Sequence, residues 1–127
     1  MRESPLHPEP HSASHGVTEI FLSAYPLERQ GKVRDIFGIG DRLLIVATDR
    51  LSAFVVVLPS SIPGKGIVLT AISDFWFDEL NDIVANHRSD LTLDDLTLSA
   101  AERQMLSGRS SLVNRAERIE IECVVRA

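Results

Sequence analysis

The sequence predicts an α+β fold in which a twisted, mostly antiparallel sheet carries flanking helices. Two strand-like stretches, 27–37 and 42–48, enclose a turn at 38–41 that contains two glycines, which is typical of a β-hairpin. Apolar residues then recur at helical spacing over 70–85. The sequence Ser-Ala-Ala-Glu at 99–102 matches a capping box, which begins a helix.

The first sixteen residues are predicted to be a disordered tail, because they are rich in proline, serine and histidine and show no apolar period. Three histidines recur there at every fourth residue: His7, His11 and His15. On a helix this spacing would align them for a metal ion. Pro8 and Pro10 disfavour that helix, so no metal site is assigned to the tail.

The tail is followed by a predicted short helix over 17–25. Beyond the hairpin, the apolar run 55–58 predicts a short strand. The next segment, 59–66, holds two prolines and two glycines and is predicted to be a loop.

The helix predicted over 70–85 has one apolar stripe, and Trp76 in that stripe is expected to lie in the core. The stripe consists of Ile72, Phe75, Trp76, Leu80 and Ile83. The capped helix is expected to run through Leu106 and to stop near Gly108. Strand character returns at 110–113 and again at 119–125.

Composition limits the function. The 127 residues suit one domain, with a net charge of −5, which disfavours a nucleic-acid surface built on bulk positive charge. No apolar run approaches the roughly 20 residues needed to span a bilayer. The single cysteine, Cys123, excludes an internal disulfide and agrees with a reducing cytoplasm. Its apolar neighbours predict a buried structural thiol.

The stretch Gly31-Lys32-Val33-Arg34 is the strongest candidate for an anion site. If the chain is extended there, Lys32 and Arg34 project from the same face of a strand. Gly31 has no side chain and would let a ligand approach the backbone. This combination suits a polyphosphate. The alternative is a solvated strand face with two unrelated basic residues.

Five segments in order resemble the amino-terminal part of the SAICAR synthetase family, over about 27–127. They are 31–37, 44–54, 62–70, 73–77 and 119–126. The resemblance implies an ATP-grasp-like amino-terminal domain, truncated at its carboxyl end. It also implies ATP-dependent ligation of L-aspartate to carboxyaminoimidazole ribonucleotide, with ATP and Mg²⁺ required and neither nucleic acid nor membrane as partner.

The family's ATP phosphate site matches Gly31, Lys32 and Arg34, so the resemblance assigns phosphate contacts to these residues. Glu122 and the backbone around 114–117 are assigned to the adenine pocket in the same way. These assignments come from the resemblance, and the strand spacing agrees for Lys32 and Arg34.

Substrate contacts are carried over to Asp49, Arg50 and Ser52, which lie in a predicted loop resembling the family pattern Asp-Arg-x-Ser-Ala-Phe-Asp. Asp49 and Ser52 could equally be turn residues that bond their own backbone. Arg126 matches the arginine that binds the ribonucleotide phosphate, a role to which a guanidinium is suited.

Val55 departs from the family pattern, because it stands where the final aspartate is expected. Restoring Val55→Asp in an extended chain is predicted to raise activity. If Val55 instead continues the apolar run 54–58, the inserted carboxylate would be desolvated and would destabilise the fold.

Two other motifs have simpler explanations. Residues 64–66, Gly-Lys-Gly, lack the full phosphate-loop pattern, so a tight turn is preferred to a phosphate site, with a substrate-side loop left open. Asp94 and Asp95 have leucine neighbours at 91, 93, 96 and 98, which favours an amphipathic surface segment over a metal pair.

The sequence is expected to be an amino-terminal fragment without ligase turnover of its own, with the metal-binding carboxylates beyond residue 127. Two alternatives remain open. One is a non-catalytic nucleotide-binding module from a degraded gene. The other is a protein-interaction domain that uses the exposed edge of its last strand.

Overall fold

The computed structural model describes residues 15–126, which form the predicted α+β architecture. Among these residues no helix has both the length and the apolar character needed to cross a membrane. The predicted tail and its histidines lie outside the described residues, apart from His15, which is exposed, and Gly16, which is half-buried. The elements are β1 (Leu27–Gln30), β2 (Arg34–Ile39), β3 (Arg42–Ala47), β4 (Arg50–Ala53), β5 (Val56–Ser61), α1 (Lys65–Glu79), a 3₁₀ turn (Leu93–Asp95), α2 (Ala100–Leu106) and β6 (Ser110–Asn114).

The main sheet has four antiparallel strands in the order β1-β2-β3-β6. The predicted hairpin is confirmed, since β2 and β3 pair from Arg34 with Ala47 to Ile39 with Arg42. Only two residues, Gly40 and Asp41, connect them. Gly40 has φ +58°, a left-handed conformation that glycine adopts without strain.

The strand predicted over 27–37 is wrong in one respect, because the chain bends at 31–33 and forms two antiparallel strands, β1 and β2. The backbone N–H of Gly31 donates to the carbonyl of Arg34 at 2.7 Å and closes this bend. Lys32 therefore lies in a turn. The strand alternation that placed Lys32 and Arg34 on one face does not apply.

The hydrophobic core lies on one face of the main sheet, covered by the segment 91–106 and by 17–25. Its buried members are Ile20, Phe37, Ile39, Leu44, Val46, Leu96, Leu106 and Leu112. The leucines of 91–98 pack on this core, while Asp94 and Asp95 are exposed. The amphipathic surface segment predicted there is confirmed.

The capping box that begins α2 is also confirmed. The hydroxyl of Ser99 accepts from the backbone N–H of Glu102 at 3.2 Å, and the Glu102 carboxylate accepts from the N–H of Ser99 at 2.7 Å. Helix α2 ends at Leu106, and Gly108 follows with φ +72°. The strand predicted at 110–113 is β6.

The helix predicted over 17–25 does not form, because other elements bond the backbone of this segment. The N–H and C=O of Val17 bond to Asp49 at 2.8 and 2.7 Å. The N–H of Ser23 donates to Glu102 at 2.7 Å. Ile20 is buried in the core between these two anchors. Tertiary hydrogen bonds thus replace the internal bonds of a helix.

The helix predicted over 70–85 exists as α1, but it starts five residues earlier and ends at Glu79. Its buried side is formed by Gly66 and Thr70, one helical turn apart. A Cβ on Gly66 would lie 2.1 Å from the carbonyl oxygen of Ala47. Only glycine allows α1 to approach β3 this closely. The loop predicted at 59–66 is too long, because β5 continues to Ser61 and α1 begins at Lys65.

The apolar stripe of α1 faces away from the sheet, which corrects the prediction that it lies in the core. Trp76 and Phe75 are each 55% exposed and contact one another edge to face. The other members of the stripe are exposed as well: Ile72, Leu80 and Ile83. The close contact at Gly66 selects the side of the helix that is buried. Exposed apolar surface of this extent is typical of a contact surface.

The strand predicted at 119–125 is absent, and residues 115–126 form an exposed, irregular segment. No strand in the described part of the chain pairs with the backbone of this segment. A strand needs such a partner for its backbone groups. Cys123 was predicted to be buried, but it is exposed. The strand that would have packed this residue into the core does not form. The interaction-domain alternative stays a prediction, because the last strand of the structure is β6, which lies at an edge of the main sheet.

The motif at 49–55 forms strand β4 and the turn of a second hairpin, β4–β5, rather than a loop. Phe54 and Val55 occupy its two turn positions with φ of 50° and 71°. A two-residue turn with both φ values positive favours Asn, Asp or Gly, and a β-branched residue is strained there. Val55 is 78% exposed, so an inserted carboxylate would not be desolvated as the apolar-run interpretation assumed.

We expect Val55→Asp to raise the free energy of unfolding by about 1 kcal/mol, because aspartate tolerates the left-handed conformation better than valine does. Chemical denaturation of the 127-residue chain measures this change.

The matched control is Val56→Asp, one residue later. Val56 pairs with Ala53 in regular strand and is also exposed, at 60%. Aspartate is disfavoured in strands, so this variant should be less stable than the wild type. A loss of stability of equal size in both variants would contradict the strain at Val55.

Candidate functional site

The turn formed by Gly31, Lys32 and Val33, called here the Gly31 turn, has its carbonyl oxygens bonded to the protein. The carbonyl of Val33 accepts from the N–H and the hydroxyl of Thr48, at 3.0 and 2.8 Å. A Cβ on Gly31 would lie 3.0 Å from the Arg34 carbonyl oxygen. The turn is thus fixed from one side, and its tight closure favours glycine at position 31.

Arg50 holds the other two carbonyls of the Gly31 turn. Its Nη2 donates to Gly31 O at 3.0 Å and its Nε to Lys32 O at 3.1 Å. Its Nη1 donates to Thr18 O at 2.6 Å. The guanidinium also forms a two-pronged ion pair with Asp35, with distances of 2.7 and 3.4 Å. All five guanidinium donors are therefore used within the protein.

The backbone N–H groups of Lys32 and Val33 have no acceptor among residues 15–126, and the side chain of Lys32 is exposed. Consecutive backbone N–H groups without protein partners can bind an anion. A mobile ammonium group beside them adds a positive charge that suits phosphate. This turn can therefore bind an anionic group from solvent.

Asp49 lies in the interior, with 1% of its surface exposed. Its carboxylate accepts from Arg109 Nη1 at 2.9 Å and from the backbone N–H groups of Val17, Gly66 and Gly64 at 2.8, 2.9 and 3.2 Å. Burial and these bonds argue against direct contact between Asp49 and a substrate. The side chain instead joins three parts of the chain.

The pKa of Asp49 reflects two opposing effects. Burial alone would raise it, but the hydrogen bonds from Arg109 and from the N–H groups of Gly66, Val17 and Gly64 together lower the pKa to about 2. The carboxylate is therefore an internal anion at the start of α1. Because it already occupies the N–H groups of Gly64 and Gly66, these groups are not available to a phosphate. Residues 64–66 are the N-cap and the first two residues of α1 rather than the tight turn that the sequence favoured.

Arg34 is exposed at the start of β2 and borders a cleft of about 240 Å³ between the sheet and α1. The cleft also contains Arg88 and His87, together with hydroxyls of Thr70, Ser73 and Ser111. Arg88 pairs with Asp74 and Asp78 of α1. Arg34 and Lys32 are thus both exposed, but Lys32 lies in the turn at 31–33 whereas Arg34 borders the cleft.

The remaining predicted site residues are not brought together. Ser52 is half-buried in β4, opposite Val57. Glu122 lies in the exposed segment 115–126 and borders a shallow depression with Arg118 and its neighbours. Arg126 is exposed in the same segment. With no strand at 119–125, no strand brings Arg126 toward Lys32 and Arg34 within residues 15–126.

Asn114 and Ala116 do border a cavity, of about 520 Å³, beside the end of α1. Phe77, Leu80, Val84, Ala85, Asn86 and His87 complete it. The N–H of Asn114 donates to His87 O at 2.7 Å and holds β6 against this segment. The adenine site expected around 114–117 stays a prediction.

The structure adds three residues that the sequence did not single out: Asp35, Thr48 and Arg109. Asp35 lies two and four residues before the buried Phe37 and Ile39 of β2. Every second residue of a strand shares a face, so this spacing places Asp35 on the core side. Arg109 has no comparable local signal. It becomes part of the site only because β6 runs beside β3.

A magnesium ion is implied by the resemblance, but the described residues do not fit one. Across residues 15–126, no group of three or more His, Cys, Asp or Glu side chains is placed to hold a metal ion. The aspartates of this site are instead paired with Arg50 and Arg109.

Comparison with protein families gives a match between residues 27–127 and the family model described as SAICAR synthetase. The chain belongs to this family. A phosphoribosylaminoimidazole-succinocarboxamide synthase of Thioalkalivibrio sulfidiphilus is 51% identical over 114 residues, which are 89% of this chain and 38% of the relative. That of Desulfosudis oleivorans is 55% identical over 101 residues, 79% of this chain and 34% of the relative.

Solved structures agree with the family. The chain resembles a SAICAR synthase from Saccharomyces cerevisiae in complex with SAICAR, with a TM-score of 0.72 and 40% identity, over 78% of this chain and 36% of that one. The antiparallel α+β fold predicted for this SAICAR synthetase member is thereby confirmed. The chain spans little more than a third of the length of the curated relatives it matches.

We expect the folded chain to lose stability in acid because of Asp49. Its pKa is about 2 when folded, against an ordinary value of 3.8. The unfolded chain binds the proton first, so the contribution of Asp49 is complete above about pH 3.8 and is lost as the pH falls through about 2. Asp49→Asn should weaken this dependence and lower the free energy of unfolding at pH 7 by about 3 kcal/mol, since Arg109 is left buried without a counter-charge.

Denaturation curves between pH 2 and 7 would measure both effects. The matched control is Asp41→Asn, because Asp41 pairs with Arg42 on the surface, with 85% of its side chain exposed. An exposed pair contributes at most about 1 kcal/mol. Equal losses in the two variants would contradict the structural role of Asp49.

Proposed function

We propose that this chain supplies the ATP-binding amino-terminal portion of a SAICAR synthetase that acts in the cytoplasm in purine biosynthesis. The complete reaction would join L-aspartate to carboxyaminoimidazole ribonucleotide and yield SAICAR, ADP and phosphate. Membership of the family supports the reaction class. The share of the relatives that the chain spans supports its assignment as one portion of the whole enzyme.

The Gly31 turn is the observation that carries the proposal. The backbone N–H groups of Lys32 and Val33 have no acceptor among residues 15–126, and the side chain of Lys32 is exposed. An ATP phosphate would bring negative charge to these donors without displacing any protein acceptor. Fixed donors of this kind stabilise the charge that develops during phosphoryl transfer.

Arg34 would serve the same triphosphate from the neighbouring cleft, where its guanidinium has no carboxylate partner among the described residues. Arg88, in the same cleft, is already neutralised by Asp74 and Asp78. Arg34 is therefore the more available cation. Glu122 and residues 114–117 keep their proposed place at the adenine.

On the substrate side, we assign the ribonucleotide phosphate to Arg126 and a substrate contact to Ser52, as the family motifs imply. Asp49 and Arg50 belong to the same motif but bond to the protein. They would therefore support the substrate site by positioning its neighbours. This division leaves Ser52, which is half-buried, as the polar group of the motif nearest to the hairpin turn.

Val55 bears on the choice between an enzyme portion and a non-catalytic nucleotide-binding module. The hairpin turn tolerates aspartate, so nothing in the local fold requires valine. If the family's aspartate orients a substrate, Val55→Asp in a chain extended to the full length of the relatives should raise turnover, while ATP binding should change little. No gain in turnover would favour the binding module.

We predict that the 127-residue chain binds ATP and that Lys32→Ala weakens binding by at least about tenfold, the effect of losing a charge-assisted hydrogen bond. Isothermal titration calorimetry with and without magnesium measures the affinity.

Lys65→Ala is the matched control, because Lys65 is the only other lysine and lies at the first position of α1. Its neighbouring N–H groups are bonded to Asp49. An equal loss of affinity in both variants would move the phosphate site away from the Gly31 turn.

The isolated chain is also predicted to have no ligase turnover, because phosphoryl transfer requires metal ligands that residues 15–126 do not assemble. Phosphate release would be measured with ATP, aspartate and the ribonucleotide together, and with each omitted. Release that depends on both aspartate and the ribonucleotide would overturn this prediction.

A further inference from the structure

We infer that Arg50, together with Thr48, is a positioning residue that shapes the Gly31 turn as a phosphate cradle. This inference rests on the proposed function, since it takes a polyphosphate as the ligand of that turn. It differs from the family-based assignment, in which Arg50 contacts a substrate directly.

The carbonyl groups of the Gly31 turn are all bonded within the protein. The three carbonyls of the Gly31 turn accept a total of four hydrogen bonds, all from Thr48 and Arg50. Carbonyl oxygens carry partial negative charge and would repel a phosphate. Turning all three toward Thr48 and Arg50 removes this repulsion from the solvent side of the turn.

The N–H groups of the Gly31 turn are the second feature of the cradle. When successive carbonyls are held on one side, the N–H groups of Lys32 and Val33 are left without acceptors within the described part of the chain. Backbone donors that are fixed before binding lose little freedom when the anion arrives. The clamp therefore prepares the turn for its ligand.

Arg50 is itself held in place. Its side chain is only 11% exposed, and Asp35, with 1% exposed, fixes the guanidinium from the core side. A buried ion pair of this kind is costly to desolvate, so its presence is weak evidence of a gain in stability. Lysine could keep the charge next to Asp35, but its single nitrogen cannot reach the three carbonyls in the fixed fork of a guanidinium.

The test is Arg50→Lys in the 127-residue chain, with two measurements. The first is amide hydrogen exchange at Gly31 and Thr48, whose N–H groups bond within the turn. The second is the affinity for ATP and for inorganic tripolyphosphate by calorimetry. We expect exchange at both amides to rise by about tenfold and both affinities to fall by about tenfold.

Arg103→Lys is the matched control. Arg103 also bonds one carboxylate and one backbone carbonyl, those of Asp94 and Leu93 at 2.8 and 2.6 Å. It lies on α2, away from the turn, so exchange at Gly31 and the affinities should match the wild type.

If Arg50→Lys loosens the whole fold, exchange at Val113 in β6 will rise as well, and Thr48 then decides. Thr48→Val removes the hydroxyl donor to Val33 with little change of shape, whereas Thr48→Ser keeps it. We expect weaker binding of both ligands in the first variant and recovery in the second.

Unchanged exchange at Gly31 and Thr48 in Arg50→Lys would overturn the clamp, whatever the affinity. A loosened turn with undiminished affinity would overturn its link to the phosphate. A wild-type chain that binds neither ligand would refute the proposed function and, with it, the role of the clamp in binding. The exchange data would still report separately whether Arg50 shapes the turn.

Discussion

The buried ion pair between Asp49 and Arg109 joins more of this molecule than any other interaction in residues 15–126. Through it, the end of β3 is tied to the start of β6, and the same carboxylate receives N–H groups from Val17 and from the first turn of α1. Breaking the pair would leave an arginine that is 5% exposed without a counter-charge. The amino-terminal segment, the helix and the sheet would lose their common anchor at once, because the same two oxygens serve all of them.

A second buried pair, Arg50 with Asp35, lies only one residue further along the chain. The two pairs have different consequences. Asp49 turns its oxygens inward and fixes a helix, whereas Arg50 turns its donors toward carbonyls and fixes the Gly31 turn. Both residues belong to the motif at 49–55, to which the resemblance assigned substrate contacts. Their contacts indicate that these two residues maintain geometry, including that of the turn in which the exposed Lys32 lies.

The packing of α1 follows a related rule, in which small residues decide what larger ones cannot. Gly66 brings the helix into contact with β3, and the apolar side chains on its other side remain exposed. Burial of apolar area would favour the opposite orientation. The backbone N–H groups of Gly64 and Gly66 are bonded to Asp49, and this bonding holds the helix against that preference.

Local signals determined the elements whose stability is local: the hairpin at Gly40, the capping box at Ser99 and the helical period of α1 could all be predicted from the sequence. Turn chemistry and capping act over a few residues, and they can be read in a short window. The break at Gly31, the orientation of Trp76 and the extended course of 17–25 depended on tertiary contacts. A hydrogen bond that Asp49 accepts or Arg50 donates across about 15 to 60 positions leaves no mark in the local pattern. Family resemblance identified Lys32 and Arg50, but only the folded chain separated a group that can meet a ligand from one that holds the backbone in place.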